Sequence, residues 1–216
     1  MTALSCDIRF VDMVRDFHVA MGHPVCWSPV EKPDPERMKA RYHYILEEFH
    51  ELKDAIKECD YVEIADALCD IQYLLIGCAL ELGLSFFDES CLHGPSKSDL
   101  HSAIQGLSSH LVDRFDLTCV VSDLQHLQGC IYHLLDNNGW RSTFYDMFKA
   151  VHENNMSKRC LSEGEVKENI HWYQDVKQIE AYSRRIGDGF ILYRQDNDKV
   201  LKPMNFKPVD LKPWVK

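Results

Sequence analysis

A chain of 216 residues that is 45% hydrophobic and 11% aromatic can bury the core of one large domain or two small ones, which excludes disorder as its default state. A formal net charge of -10 and a pI near 5.5 exclude a general electrostatic grip on nucleic acid or an anionic membrane, since the chain as a whole repels both. An acidic protein that handles polyanions must therefore gather cations locally.

The nine cysteines include no CxxC pair and several fall in apolar helical runs, so they are read as reduced core thiols, which places the protein in the cytoplasm, with the nucleus as the alternative. The first 17 residues carry Asp7, Arg9, Asp12, Arg15 and Asp16 too densely for a secretory signal. The most apolar run, 71–80, is bounded by Asp70 and Glu81 and falls short of the roughly 20 residues that span a bilayer.

In chain order, Phe10, Met13, Val14, Phe17 and Met21 predict a helix over 10–21, stopped by Gly22-His23-Pro24. Residues 24–35 hold four prolines and read as an extended connector. Tyr44, Ile45, Phe49, Leu52 and Ile56 predict a long amphipathic helix over 36–57. Asp60-Tyr61-Val62-Glu63 has the form of a capping box and opens a second helix over 60–83. Further helices are predicted over 99–113, 118–136, 142–154 and 165–185, and the remainder as an extended arm carrying one small hairpin, so the class is all-α. The chain is read as one domain, with a catalytic half at 1–94, a degenerate second half at 95–158, and a C-terminal helix and arm at 159–216. The second half rests on an internal echo: Phe87-Asp88, Cys91-Leu92-His93 and Pro95-Ser96-Lys97 against Tyr145-Asp146, Val151-His152 and Met156-Ser157-Lys158, with Gly83 opposite Gly139 and Asp70 opposite His126. Chance similarity of helical composition is the competing explanation.

The chemistry sits on helices 36–57 and 60–83, whose connection is so short that they must pack as an antiparallel hairpin. Glu48 and Glu51 lie about 60° apart on the first helix, with Glu47 further toward solvent. On the second, Glu63, Asp66 and Asp70 share one stripe of an otherwise apolar helix. Counted from the turn, Glu51 is level with Asp66 and Glu48 nearly level with Asp70. Such a cluster is untenable bare, because desolvation and like-charge repulsion both oppose ionisation. With few basic residues nearby and no Cys or paired His, hard divalent cations, Mg²⁺ with Mn²⁺ as a substitute, are the simpler neutralisers. Carboxylate-held cations suit phosphoryl chemistry.

EEFHE (47–51) followed by EIADALCDIQYLLIGCALELG (63–83), with RDFHVAMGHP, ARYHYILEEFHEL, VHENNMSK and DNDKVLKPMNFKPVDLKP in order around them, resembles the all-α nucleoside triphosphate pyrophosphohydrolase superfamily. That superfamily takes in MazG, the dimeric dUTPases and phosphoribosyl-ATP pyrophosphohydrolase, and the likeness is closest to the phosphoribosyl-ATP pyrophosphohydrolase-like branch. The resemblance implies a Mg²⁺-dependent cleavage of a nucleoside triphosphate between its α- and β-phosphates. It implies Glu48, Glu51, Glu63 and Asp66 as metal ligands, with Asp66 and Asp70 an equally good pair and Glu63 ranked last. Glu47, with Glu48 beside it, would orient or deprotonate the attacking water. Asn155 and Lys158, Lys199 and Lys202 would contact phosphates or base, and Arg41 is a further candidate contact. Phe17, His18, Trp140 and Trp172 each offer a ring either to a base or to the core. The expected role is nucleotide-pool sanitation on a dUTP- or dCTP-like substrate, by a homodimer or higher oligomer. Phosphoribosyl-ATP itself is the least expected substrate. Residues 95–139 depart from the branch, which is the reason for reading a single-chain pseudo-dimer there. Two other classes compete: a ferritin-like di-iron protein built on Glu47/His50, Glu168/His171, Glu63 and Glu81, and a non-catalytic helical Mg²⁺-binding interaction protein.

Overall fold

The computed structural model describes residues 3–87, 100–196 and 199–215. Six predicted helices appear with ends within two residues of expectation: α1 (Ile8–Met21), α2 (Pro35–Glu58), α3 (Tyr61–Glu81), α4 (Leu100–Leu107, widened into a π-turn over Ser108–Asp113), α5 (Leu117–Asn137) and α6 (Phe144–Met156). Aspartates cap α1, α2, α3 and α5 through side-chain bonds to first-turn amides, which fixes where each helix begins. α3 is the central element, with Ile64, Leu68, Ile71, Leu75 and Ile76 all buried among α1, α2, α5 and α6. Strands β1 (Ala3–Ser5) and β2 (Ser85–Phe87) pair in parallel, a small departure from the strand-free expectation. Among the described residues no helix is long and apolar enough to cross a membrane.

The helix expected over 165–185 ends early. α7 (Glu163–Trp172) widens into a π-turn over Tyr173–Lys177, and Gln178, at φ 54°, terminates it. Residues 181–186 instead form β4 (Ala181–Ile186), joined by Gly187-Asp188 to β5 (Gly189–Arg194). A two-residue turn beginning with glycine at φ 59° matches the twist of a hairpin, and this favours pairing over helix continuation. β3 (Arg159–Cys160) and β6 (Val200–Leu201) extend the arrangement to four antiparallel strands, so the arm carries more sheet than expected. Cys160, Val166, Tyr173, Leu192 and Leu201 give this layer its own small core.

The eight described cysteines are free, but only Cys6, Cys69, Cys78, Cys130 and Cys160 are buried; Cys59 is exposed, and Cys26 and Cys119 are partly so, contrary to an all-core reading. Cys91, and residues 88–97 of the internal echo, lie outside the described residues.

The proline-rich connector is strapped to the end of α3: the amide of Cys26 donates to Leu80 O at 2.9 Å and that of Val30 to Leu82 O at 3.0 Å. This approach requires glycine at 83, which has φ +65° and where a Cβ would be driven into the carbonyl of Ser28. At Gly139, φ +72°, a Cβ meets nothing within 4 Å. Gly83→Ala is therefore expected to lower the thermal unfolding midpoint well beyond Gly139→Ala, which carries only the roughly 1 kcal/mol conformational penalty. Equal midpoints in differential scanning calorimetry would contradict this.

Candidate active site

The hairpin register is set at its turn. Cys59 takes φ 56° and closes α2, and the carboxylate of Asp60 accepts from the amides of Val62 and Glu63 at 3.1 and 3.2 Å. The returning half of the predicted capping box does not form, because the amide of Asp60 donates to Ala55 O at 3.0 Å. α3 then aims Glu63, Asp66 and Asp70 at the end of α6 and at the arm. There they line a cavity of about 140 Å³ with Asn154, Asn155, Lys158, Lys202 and Phe206.

Electrostatics confirm the register. Burial, then the charges of Asp70, Glu51 and Asp66, push the Glu48 carboxyl up to about 8. Burial and Asp66 push Asp70 up to about 7, with Lys158 and Lys202 opposing. Burial, then Glu63 and Glu51, bring Asp66 to about 6 against the same two lysines. Glu51 thus acts on Asp66 and Asp70 on Glu48, as counted from the turn. Lys158 loses hydration, which lowers its ammonium pKa despite Asp70, and its Nζ donates to Asn155 Oδ1 at 2.6 Å. Glu47, Glu51 and Glu63 are exposed, whereas Glu48, Asp66 and Asp70 are partly buried.

The expected convergence of the acids on Mg²⁺ is met only in part. Among the described residues no three His, Cys, Asp or Glu side chains stand close enough, as placed, to enclose an ion. The acids share a field, not a coordination shell. The donor set nonetheless fits a hard cation: all oxygen, with five acids against two lysines, and three of the carboxyls held above their ordinary range by burial and by neighbouring acids.

Several expected contacts lie elsewhere. Arg41 is buried with its guanidinium on Glu81, which Arg37 also engages, through Nε at 2.8 Å and Nη2 at 2.5 Å. His18 donates from Nδ1 to Pro24 O at 2.9 Å, which leaves Nε2 toward Arg41 at 3.3 Å. Burial and Arg41 hold His18 down to about 4 and His23 to about 3, so both rings are neutral beside the guanidiniums. Arg41 and His18 therefore serve a buried cluster at the far end of α3 rather than the cavity. Phe17 packs edge-on to Tyr73 at 5.4 Å and against His23, in the core. Lys199 is exposed on the strand layer and does not line the cavity, although Lys202 does. Trp140 is buried, and Trp172 packs on Tyr173. The di-iron arrangement is not formed either: Glu81 is taken by two arginines, and His171, exposed beside Glu168, pairs with Asp175 at 2.9 Å.

Sequence reasoning missed the arm as a wall. Phe206, Pro208, Val209 and Leu211 close one side of the cavity, and Leu211 is fully buried. The arm is held by Tyr173 OH donating to Lys202 O (2.7 Å), Met204 N to Asn169 Oδ1 (2.5 Å) and Asn154 Nδ2 to Lys207 O (2.6 Å). Its apolar residues between prolines were the available signal.

Compared with known proteins, the chain is 28% identical over 229 residues to an uncharacterized protein of Acanthamoeba polyphaga mimivirus, with 90% of each chain covered. No solved structure matches. Residues 14–90 match the family model of phosphoribosyl-ATP pyrophosphohydrolase, a span that takes in α2, α3 and all the clustered acids. The segment that builds the acidic hairpin thus carries the match to the phosphoribosyl-ATP pyrophosphohydrolase model, a helical family of pyrophosphohydrolase type.

Proposed function

We propose that this chain is a Mg²⁺-dependent nucleoside triphosphate pyrophosphohydrolase that converts a (d)NTP and water to the monophosphate and diphosphate. The observation that carries the reading is the cleft lined by Asp66, Asp70, Lys158 and Lys202, with Glu48 in the field of both aspartates and all three carboxyls destabilised as anions. Buried acids that repel one another, with cationic side chains across a small cavity, form a site completed by cations and polyphosphate together. Glu48, Glu51, Asp66 and Asp70, with Glu63 at the rim, would hold Mg²⁺, or Mn²⁺ in its place. When bound, such an ion neutralises the polyphosphate and lowers the pKa of a water. Lys158, oriented by Asn155, and Lys202 neutralise phosphate oxygens from the opposite wall. Glu47, with Glu48 beside it in sequence, would orient the attacking water and take its proton as its oxygen bonds to the α-phosphorus and the bond to the bridging oxygen breaks.

The hairpin of α4 and α5 is part of this proposal as a degenerate second copy. α3 and α5 each span 21 residues, follow an Asp cap and precede a glycine at positive φ, and both bury a glutamine, Gln72 and Gln128. A chain so built would carry its own pseudo-partner within 95–158, and homodimers or higher assemblies would form from such chains.

The test is product analysis with each canonical and modified dNTP in the presence of Mg²⁺. Nucleoside monophosphate with diphosphate supports the reading. A nucleoside diphosphate with orthophosphate, or no turnover on any substrate, overturns it.

A further inference from the structure

The first cavity, at about 140 Å³, is smaller than the roughly 300–1,000 Å³ typical of small-molecule sites, so it accommodates phosphates and not a whole nucleotide. A second cavity of about 520 Å³ adjoins it and shares the wall formed by Asn154, Phe206 and Val209. We propose that this second cavity, between the C-terminal end of α6, β3 and the arm, is the subsite for the nucleoside moiety of the substrate; the inference rests on the nucleotide reading given above.

Charge separates the two cavities. The first presents Glu63, Asp66 and Asp70 against Lys158 and Lys202, a set that asks for metal and phosphate. The second balances Glu153 and Glu165 against Arg159 and Lys207, which suits an uncharged group. Glu165 is already committed, its Oε2 accepting from the amide of Leu161 at 2.8 Å. A polyphosphate gains nothing here, whereas a sugar and base avoid desolvating an unbalanced charge.

Two further features fit a base. Phe206 lines both cavities, and the Lys202 ammonium stands 4.7 Å from its ring centroid, so one aromatic ring links a phosphate-facing cation to the second cavity. Planar bases stack on such a ring whatever their identity. Leu161 contributes an apolar side chain that is 74% exposed and would be covered by an occupant.

The test uses the full chain and two variants that touch only the second cavity, Leu161→Arg and Asn205→Ala. Binding of deoxynucleoside monophosphates and of inorganic tripolyphosphate is measured by calorimetry with Mg²⁺. The subsite is supported if nucleotide Kd rises about tenfold in Leu161→Arg, and measurably in Asn205→Ala, while tripolyphosphate Kd stays unchanged. Unchanged nucleotide affinity, equal weakening of both ligands, or no nucleotide binding by the parent chain overturns it. Diphosphate release is followed in parallel. Cleavage that persists with cavity-independent binding removes the subsite and keeps the hydrolase, and cavity-dependent binding without cleavage does the reverse.

Discussion

Asp70→Asn and Glu48→Gln are each expected to lower the rate of diphosphate release by about 10²- to 10³-fold, the loss that follows from removing a few kcal/mol of charge stabilisation at a metal site. The same substitutions should raise the melting temperature of the metal-free protein. Both carboxyls are pushed above their ordinary range, chiefly by burial and then by neighbouring acids, Asp70 for Glu48 and Asp66 for Asp70, so the ionised cluster strains the fold. In the folded chain these groups keep protons that the unfolded chain has already released. The contribution of these two groups to stability without divalent cations is therefore greatest at low pH and declines as pH rises from about 4 toward the values of about 7 and 8 at which the folded groups ionise. A neutral amide flattens that decline, and each kcal/mol of relieved repulsion raises the midpoint by about 2–4 °C in a chain of this size. Urea titrations at pH 5 and pH 8.5 in chelator, beside the activity assay, check both halves. An amide variant that turns over normally, or that melts lower at pH 8.5, contradicts the role given to these acids.

Glu81→Ala is expected to cost about 3–5 kcal/mol, the penalty of leaving a buried charge pair broken. Glu81 is 4% exposed and holds two guanidiniums, of which Arg41 is itself 8% exposed, so its removal strands positive charge beside two rings that stay neutral. Arg37 and Arg41 outweigh the upward push of burial and hold Glu81 below the ordinary carboxylate range. The transition should fall by about 6–20 °C, while activity per folded molecule, assayed below the new transition, stays near that of the parent. Loss of catalysis in still-folded protein would place this cluster in the chemistry instead.

The helical hairpin was legible because it depends on local rules: apolar spacing, an Asp cap, and counting acids from a short turn. Those rules placed Glu51 near Asp66 and Glu48 near Asp70. What they missed depends on distant pairing. Ala181–Ile186 has enough helix-compatible residues to extend α7, and only its pairing with Gly189–Arg194 makes it a strand. Arg41 and His18 looked available because nothing local announces Glu81, which lies 40 residues from Arg41. Likewise Phe206 and Leu211 sit in a proline-rich tail whose docking on the cleft follows from the fold and not from any period.

The acids of α3 are sorted by the polarity of the helix that carries them. Aligned peptide dipoles leave about half a positive charge at its N-terminus and about half a negative charge at its C-terminus, effective within a turn of each end. Glu63 stands in that first turn and needs no side-chain counter-ion, whereas Glu81, the last helical residue, meets the repelling pole and is gripped by two arginines. Asp70 lies mid-helix, out of reach of either pole. Lys158 and Lys202 offset its charge only in part, and a cation arriving from solution would settle the rest.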